Sequence, residues 1–273
     1  MLSRELDVAV AAARAAGAIV RRWYEGDYTV REKAHDSPVT EADLEANQCI
    51  LTTIRTAFPD DGWLSEETRD SADRLQKPRV WIVDPLDGTK EFIKHIPEFC
   101  VAIGLVVDGV PVLGVEYNPA RDELFAGARG TGVTLNGTAV RVSATRDLKT
   151  ARLLASRSET ERGEWDEFRD DFTIELTGSV AYKLALIAAG RGDATFSLTP
   201  KNEWDICAGA ALITAAGGRM TDRYGEPLRF NQRDTKLPGL IASNAALYDP
   251  IVALLRQRGK LRNRGLGGYG SDP

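Results

Sequence analysis

The sequence predicts an α/β protein built as two halves, an α+β half over residues 1–142 and an α/β half over residues 143–260. Three observations predict it. Apolar residues recur at helical spacing near the N-terminus, and strand-like runs separated by turn residues fill the stretch from about 99 to 142. From about residue 143, strand-like and helix-like segments alternate, the pattern of helices laid on a sheet. Residues 261–273, rich in glycine, read as a disordered tail.

Taken in order, Leu2, Leu6, Ala9, Val10, Ala13, Ala16, Ile19, Val20 and Trp23 predict an amphipathic helix over 2–24. A second helix is expected from about Thr40 to Ala57, stopping before Pro59. Thr40 suits its N-cap, and Asp43 at the third following position completes a capping-box pattern. Trp81, Ile82 and Val83 form a short buried strand. Pro85 cannot donate a ladder hydrogen bond, so that strand is expected to end at Asp84, and Gly88 lets the chain turn. An antiparallel meander follows, over about 99–107, 112–117, 123–127 and 132–142, with Asn136-Gly137 as a hairpin signal. The run Gly127 to Gly132 opens no helix, so it reads as a tight hairpin turn rather than a phosphate loop. In the second half, strands at about 153–156, 172–176, 193–198, 219–222 and 239–242 are interleaved with helices at 160–169, 179–190, 204–216 and 245–257.

Composition removes whole classes of function. The chain has 273 residues, 43% hydrophobic and 27% charged, enough for a substantial core. A net charge of −5 argues against binding a nucleic-acid polymer. No stretch reaches the roughly 18 apolar residues of a membrane span, and no secretory leader is expected. Cys49, Cys100 and Cys207 lie far apart without a C-x-x-C pair, which suggests buried thiols in a reducing, cytoplasmic compartment. His35 and His95 are the only histidines, so a histidine-rich zinc site is excluded, and both read as surface or loop residues.

The chemistry concentrates at Asp84-Pro85-Leu86-Asp87-Gly88, where two carboxylates three positions apart sit at the mouth of a sheet. Lys90 is the one local cation, so a hard metal suits them. The same five residues also fit a solvated turn. Glu66 or Glu67 offers another carboxylate or an exposed acidic loop. Asp205, in Glu203-Trp204-Asp205, offers another or a helix-start charge. Asp36 to Asp43 is a turn into a helix, and Asp43 alone reads as a capping residue.

Together these segments resemble the lithium-sensitive, magnesium-dependent phosphatase superfamily that includes inositol monophosphatases and bisphosphate nucleotidases. The resemblance rests on DSPVTEAD at 36–43, LSEE at 64–67, WIVDPLDGTKEF at 81–92, GTGVTLNG at 130–137 and EWDICAGAALITAAGG at 203–218. It spans roughly residues 5 to 258 in the family's order. It implies a layered α-β-α-β-α sandwich of the sugar-phosphatase type, with the site between the two halves. It implies Glu66, Asp84, the backbone carbonyl of Leu86, Asp87 and Asp205 as ligands for two or three Mg²⁺ ions, an oxygen-only set suited to that metal. Asp84 would bridge two ions, with Glu66 on the first and Asp87 and Asp205 on the second.

Gly88 and Thr89 would present backbone amides to the phosphate. Thr89 and Asp43 would orient and activate the attacking water, which Glu66 would contact through the metal. Glu66, Leu86, Asp87, Gly88, Thr89, Asp205, Ser179 and Lys183 would surround a small phosphorylated substrate. Ser179, Tyr182 and Lys183 share one helix face by spacing; Tyr182 either stacks on a base or sits half-buried in the helix. A homodimer is the family-based expectation.

Within the superfamily, DGTKEF and DSPVTEAD look more like the bacterial 3′(2′),5′-bisphosphate nucleotidases. Inositol monophosphatases more typically carry Thr-Asn where this chain has Lys90-Glu91. The expected reaction is therefore adenosine 3′,5′-bisphosphate plus water to AMP and phosphate. An inositol-1-monophosphatase is the alternative, with fructose-1,6-bisphosphatase more remote. A catalytically silent metal- and phosphate-binding regulator is the reading from another class; Asp43 and Thr89, both present, favour the enzyme.

Overall fold

The structure is a computed structural model that describes residues 2–33 and 37–261. The expected tail from 262 onward, His35 and Asp36 lie outside the described residues.

The chain opens with α1 (Ser3–Tyr24), a ribbon of β1 (Arg31–Lys33) and β2 (Ser37–Val39), and α2 (Glu41–Ala57). Next come β3 (Gly62–Ser65), β4 (Arg79–Asp87), the short α3 (Thr89–Ile93), β5 (Cys100–Val107), β6 (Val110–Asn118), β7 (Glu123–Ala128), β8 (Gly132–Leu135) and β9 (Thr138–Val140). Strands β3 to β9 form one seven-stranded sheet in sequence order, with only the β3–β4 pair parallel. After β10 (Arg152–Ala155), α4 (Arg157–Glu161) and β11 (Thr173–Leu176) come α5 (Val180–Ala188), β12 (Ala194–Ser197), β13 (Lys201–Asn202) and α6 (Glu203–Ala215). The last elements are β14 (Gly218–Thr221), β15 (Lys236–Leu237), β16 (Leu240–Asn244) and α7 (Ala245–Gln257). The second sheet runs β11-β10-β12-β16-β14, and β13 pairs with β15 as a separate ribbon.

Strand periodicity decides the layering. On β4, Trp81 and Val83 face α1 and α2, whereas Val80 and Ile82 face α5 and α6. The five-stranded sheet gives Leu154, Leu240 and Ala242 to that same middle core, and Leu153, Phe196 and Ile241 to an outer core under α7 and the 165–172 segment. The order is helices, sheet, helices, sheet, helices, which is the layered sandwich expected. Helix α6 lies unusually close to the large sheet. A Cβ on Gly114 would fall 2.2 Å from the Ala208 carbonyl oxygen, and one on Gly104 would fall 2.6 Å from Cys207 Sγ. Only glycine permits that approach, and it brings the N-terminal end of α6 to the end of β4.

Three elements differ from expectation, the first being residues 37–39, expected within a turn, which form β2 paired with β1. Strand β4 does not end at Asp84 but continues through Pro85 to Asp87. Asp84 pairs with Ala102 and Asp87 with Cys100, so three steps on β4 oppose two on β5. Pro85 falls inside this bulge, where a missing N–H breaks no ladder bond. The polar helix expected over 160–169 is broken into α4 and a 3₁₀ turn at Asp166–Phe168. Gly163, at φ 75°, turns the chain between them and lets Trp165 and Phe168 enter the outer core.

Candidate active site

The bulge in β4 builds the floor of the site. Its extra residue brings Asp84 and Asp87 together on one side, and the Leu86 N–H closes the turn by donating to Asp84 Oδ1 at 2.9 Å. Gly88 follows at φ 96°, a left-handed conformation a glycine adopts without strain, and α3 begins. Asp87 is held from the far side of the cleft. Ser179 Oγ and the Ala181 N–H both donate to its Oδ2, at 2.5 and 2.6 Å, from the start of α5. The Ser179 hydroxyl also accepts from the Tyr182 N–H, so one residue caps α5 and fixes Asp87.

Asp205 arrives on α6. Carboxylate oxygens of Asp84, Asp87 and Asp205 lie within 4.8 Å of one another, Asp84 buried and the other two half-buried. Burial, then repulsion from Glu66, Asp87 and Asp205, pushes the Asp84 carboxyl well up. Asp205 is pushed well up by burial and then by Asp87 and Glu66. Asp87 is also raised by burial, against the pull of Ser179, Ala181, Lys183 and Lys201. Three crowded carboxylates with oxygen donors alone make a set that a hard divalent cation would neutralise, so the residues fit Mg²⁺. Glu66 lines the same cleft and its charge reaches Asp84, Asp205 and Asp43, although it stands outside the tight triad.

Beside the triad, Thr89 Oγ1 lies 3.1 Å from both Asp43 Oδ1 and the Leu86 carbonyl oxygen. Asp43 sits behind Thr89, only 1% exposed, and its Oδ2 accepts from the Thr40 N–H and Thr40 Oγ at 2.8 and 2.7 Å. The capping role and the partnership with Thr89 therefore coexist, one on each oxygen. Burial raises the Asp43 carboxyl despite these donors.

The cleft holds about 310 Å³ and is lined by Glu66, Asp84, Leu86, Asp87, Gly88 and Thr89 at its floor. Ser179, Lys183 and Asp205 complete the set expected from sequence, and Asp43 reaches the cleft only through Thr89. The shared face expected for Ser179, Tyr182 and Lys183 does not hold. Ser179 precedes the helix as its cap, and Tyr182 is buried against Phe125 with its hydroxyl donating to Glu123 at 2.6 Å. Base stacking by Tyr182 is thereby ruled out in favour of packing. His95 lies against Tyr24, away from the cleft lining.

Sequence reading missed the cleft's outer wall, which includes Arg157, Glu159 and Lys201. Lys201 stood four residues before Asp205 and was findable by that proximity. Glu159 lies on a helix whose boundaries were misplaced, and nothing local marked it.

No helix among the described residues is long and apolar enough to cross a membrane. The sequence profile described as the inositol monophosphatase family matches residues 1–260. Inositol monophosphatase 3 of Solanum lycopersicum is 35% identical over 267 residues, covering 92% of this chain and 96% of that protein. The 3′(2′),5′-bisphosphate nucleotidase CysQ of Escherichia coli (strain K12) is 36% identical over 244 residues, covering 87% of this chain and 99% of that protein. Among solved structures, the extragenic suppressor protein SuhB of Bartonella henselae superposes with a TM-score of 0.82 at 32% identity, covering 93% of this chain and 99% of that one. With a profile match over nearly its whole length and relatives of this identity, the chain belongs to the inositol monophosphatase family, and it is a phosphomonoester hydrolase.

Proposed function

We propose that the protein is a Mg²⁺-dependent 3′(2′),5′-bisphosphate nucleotidase that converts adenosine 3′,5′-bisphosphate to AMP and phosphate. The observation that carries the reading is a cleft lined by groups of both charges. A carboxylate triad beside the Thr89–Asp43 pair suits one phosphate, and cationic side chains, Lys183 and Lys201 among them, suit a second.

In this reading Glu66, Asp84, Asp87, Asp205 and the Leu86 carbonyl hold two or three Mg²⁺ ions. Bound there, the metal would lower the pKa of a water and offset charge on the leaving oxygen. Thr89 Oγ1, donating to Asp43 Oδ1, keeps a lone pair turned to the water, and Asp43 receives the proton through that hydroxyl. The N–H groups of Gly88, the N-cap of α3, and of Thr89, its first residue, orient the phosphate. The three cysteines are free, in keeping with a cytoplasmic location, and a homodimer of chains divided near residue 142 belongs to the same proposal.

An inositol-1-monophosphatase is the second reading. It is favoured by relatives of that name that match 92–94% of the chain, against 87% for the nucleotidases. A phosphate-release panel with Mg²⁺ decides between them. Adenosine 3′,5′-bisphosphate is expected to turn over fastest. Faster release from inositol 1-phosphate overturns the first reading in favour of the second, and faster release from fructose 1,6-bisphosphate overturns both.

A further inference from the structure

The outer wall of the cleft contains a carboxylate that the chemistry above does not use. Glu159 on α4 is 3% exposed, although a five-residue surface helix has no need to bury an acid. Its Oε1 accepts from Ser197 Oγ at 2.8 Å and from Lys201 Nζ at 3.3 Å, joining α4 to β12 and β13. Among the described residues its Oε2 is buried with no hydrogen-bond partner. Lys183, also 3% exposed, projects into the same cleft from α5. A buried carboxylate with half its acceptor capacity unused is a poor choice for stability alone. Its surroundings supply a different reason for it, because one ammonium group, Lys201, bonds this carboxylate and a second, Lys183, feels its charge, both lining the cleft that holds the triad.

We propose that Glu159 is a positioning residue for substrate recognition. It holds Lys201 and Lys183 as one cationic wall, so that the cleft takes a phosphomonoester carrying a second anionic group. The inference rests on the hydrolase reading above and not on which scaffold joins the two anions.

Electrostatics around the cluster agree with this arrangement. Burial works against the Glu159 charge, yet Lys183, Lys201 and two serine hydroxyls bring its carboxyl below the usual range, so it is ionised. Burial lowers Lys183, and Glu159 is the largest influence opposing that drop, ahead of Asp87 and Glu91. Without Glu159, Lys183 would lose its main counter-charge and Lys201 its charged acceptor, leaving it Thr199 Oγ1 at 3.4 Å.

The test is steady-state phosphate release by the full chain with Mg²⁺, on adenosine 3′,5′-bisphosphate and adenosine 3′-monophosphate. These differ only in the second phosphate. Glu159→Gln is expected to raise KM for the bisphosphate about tenfold, the cost of a hydrogen bond to a charged group, with a much smaller change in kcat. KM for the monophosphate should move far less. Glu159→Asp should recover part of the difference, and Lys201→Met should show the same split in smaller measure even if the Glu159 variants fold poorly. Equal losses on both substrates, or an unchanged or lower KM for the bisphosphate, would overturn the proposal. Should neither adenosine compound be hydrolysed, the nucleotidase reading fails instead. The same variants compared on inositol 1,4-bisphosphate and inositol 1-phosphate then decide the role of Glu159 by the same criterion.

Discussion

Helices α2 and α6 begin alike. Each has an aspartate at its third position that accepts a hydrogen bond from the backbone N–H of the cap, Asp43 from Thr40 at 2.8 Å and Asp205 from Asn202 at 3.0 Å. Both carboxylates lie at a helix N-terminus, where the backbone favours negative charge. Their other neighbours separate them. Asp43 is ringed by donors, two from Thr40 and one from Thr89, and reaches the cleft only through that threonine. Asp205 points toward Asp84 and Asp87 and is crowded by like charge. One local device thus yields a carboxylate content without a cation and another that needs one. The neighbours supplied by tertiary packing, rather than the motif, decide which.

The largest expected effect breaks the comparison on the α6 side. Asp205→Asn keeps an oxygen for the cap but removes a charge from the triad. Activity should fall by about three orders of magnitude or more, as should that of Asp87→Asn. In chelator, the same Asp205→Asn protein should melt no lower than the parent, because a repulsion is gone. Phosphate release and thermal melting check the pair of outcomes. Retained activity in either variant would remove the triad from the mechanism.

On the α2 side, Thr89→Val removes the hydroxyl between Asp43 and the cleft. Turnover should drop about a hundredfold, the usual scale of a lost proton-transfer partner, while the melting temperature changes little. Asp43→Ala should lose activity to a similar extent and also stability, since the same side chain caps α2. Loss of a cap costs about 1 kcal/mol. If Asp43→Ala loses stability alone, capping is its entire role.

Protons sharpen the difference. A carboxyl with a higher pKa in the folded than in the unfolded chain keeps its proton longer when folded, so the folded state binds more protons and stability falls as pH rises. Asp84 and Asp205, both pushed well up, make this the dominant local effect of the triad. With metal chelated, the melting temperature should therefore decline from about pH 4 upward through the raised folded values. Saturating Mg²⁺, which binds the charged form, should flatten that decline. A chelated protein that grows more stable between about pH 5 and pH 8 would contradict the electrostatics of the cluster.

The sequence carried the carboxylates better than it carried their surroundings. Thr40 and Asp43 were legible as a cap because capping is local, and Asp84 and Asp87 because a strand, a proline and a glycine constrain five residues. Even there, the end of the strand was misjudged. Proline forbids a ladder bond, but a bulge can absorb it, and the pairing with β5 that creates the bulge is not local. Tyr182 was placed on the face of Ser179 by helical spacing, yet Ser179 is a cap at φ 56° and not a helical residue. Glu159 was invisible because its helix is short and is ended by Gly163, and its partners Ser197 and Lys201 lie about 40 residues away.

The smallest expected effect compares the two caps themselves. At α2, Thr40 Oγ donates to Asp43 Oδ2 at 2.7 Å, whereas at α6 the Asn202 side-chain amide meets Asp205 Oδ2 at 3.4 Å. The shorter bond is the stronger one. Thr40→Ala should therefore cost about 1 kcal/mol of stability and Asn202→Ala about half as much or less. In a chain of this size 1 kcal/mol is a melting shift of about 2–4 °C. Activity should separate the two in the opposite sense. Asp43 keeps the Thr40 N–H and Thr89 after Thr40→Ala, so turnover should fall less than tenfold. Asn202→Ala loosens the direction of Asp205 toward Asp84 and Asp87, and in the proposed metal site it should show as a higher Mg²⁺ requirement, read from the metal concentration giving half-maximal phosphate release. An unchanged Mg²⁺ requirement would mean that the backbone N–H of Asn202 alone aims Asp205, and that the capping side chain at α6 serves the helix and not the site.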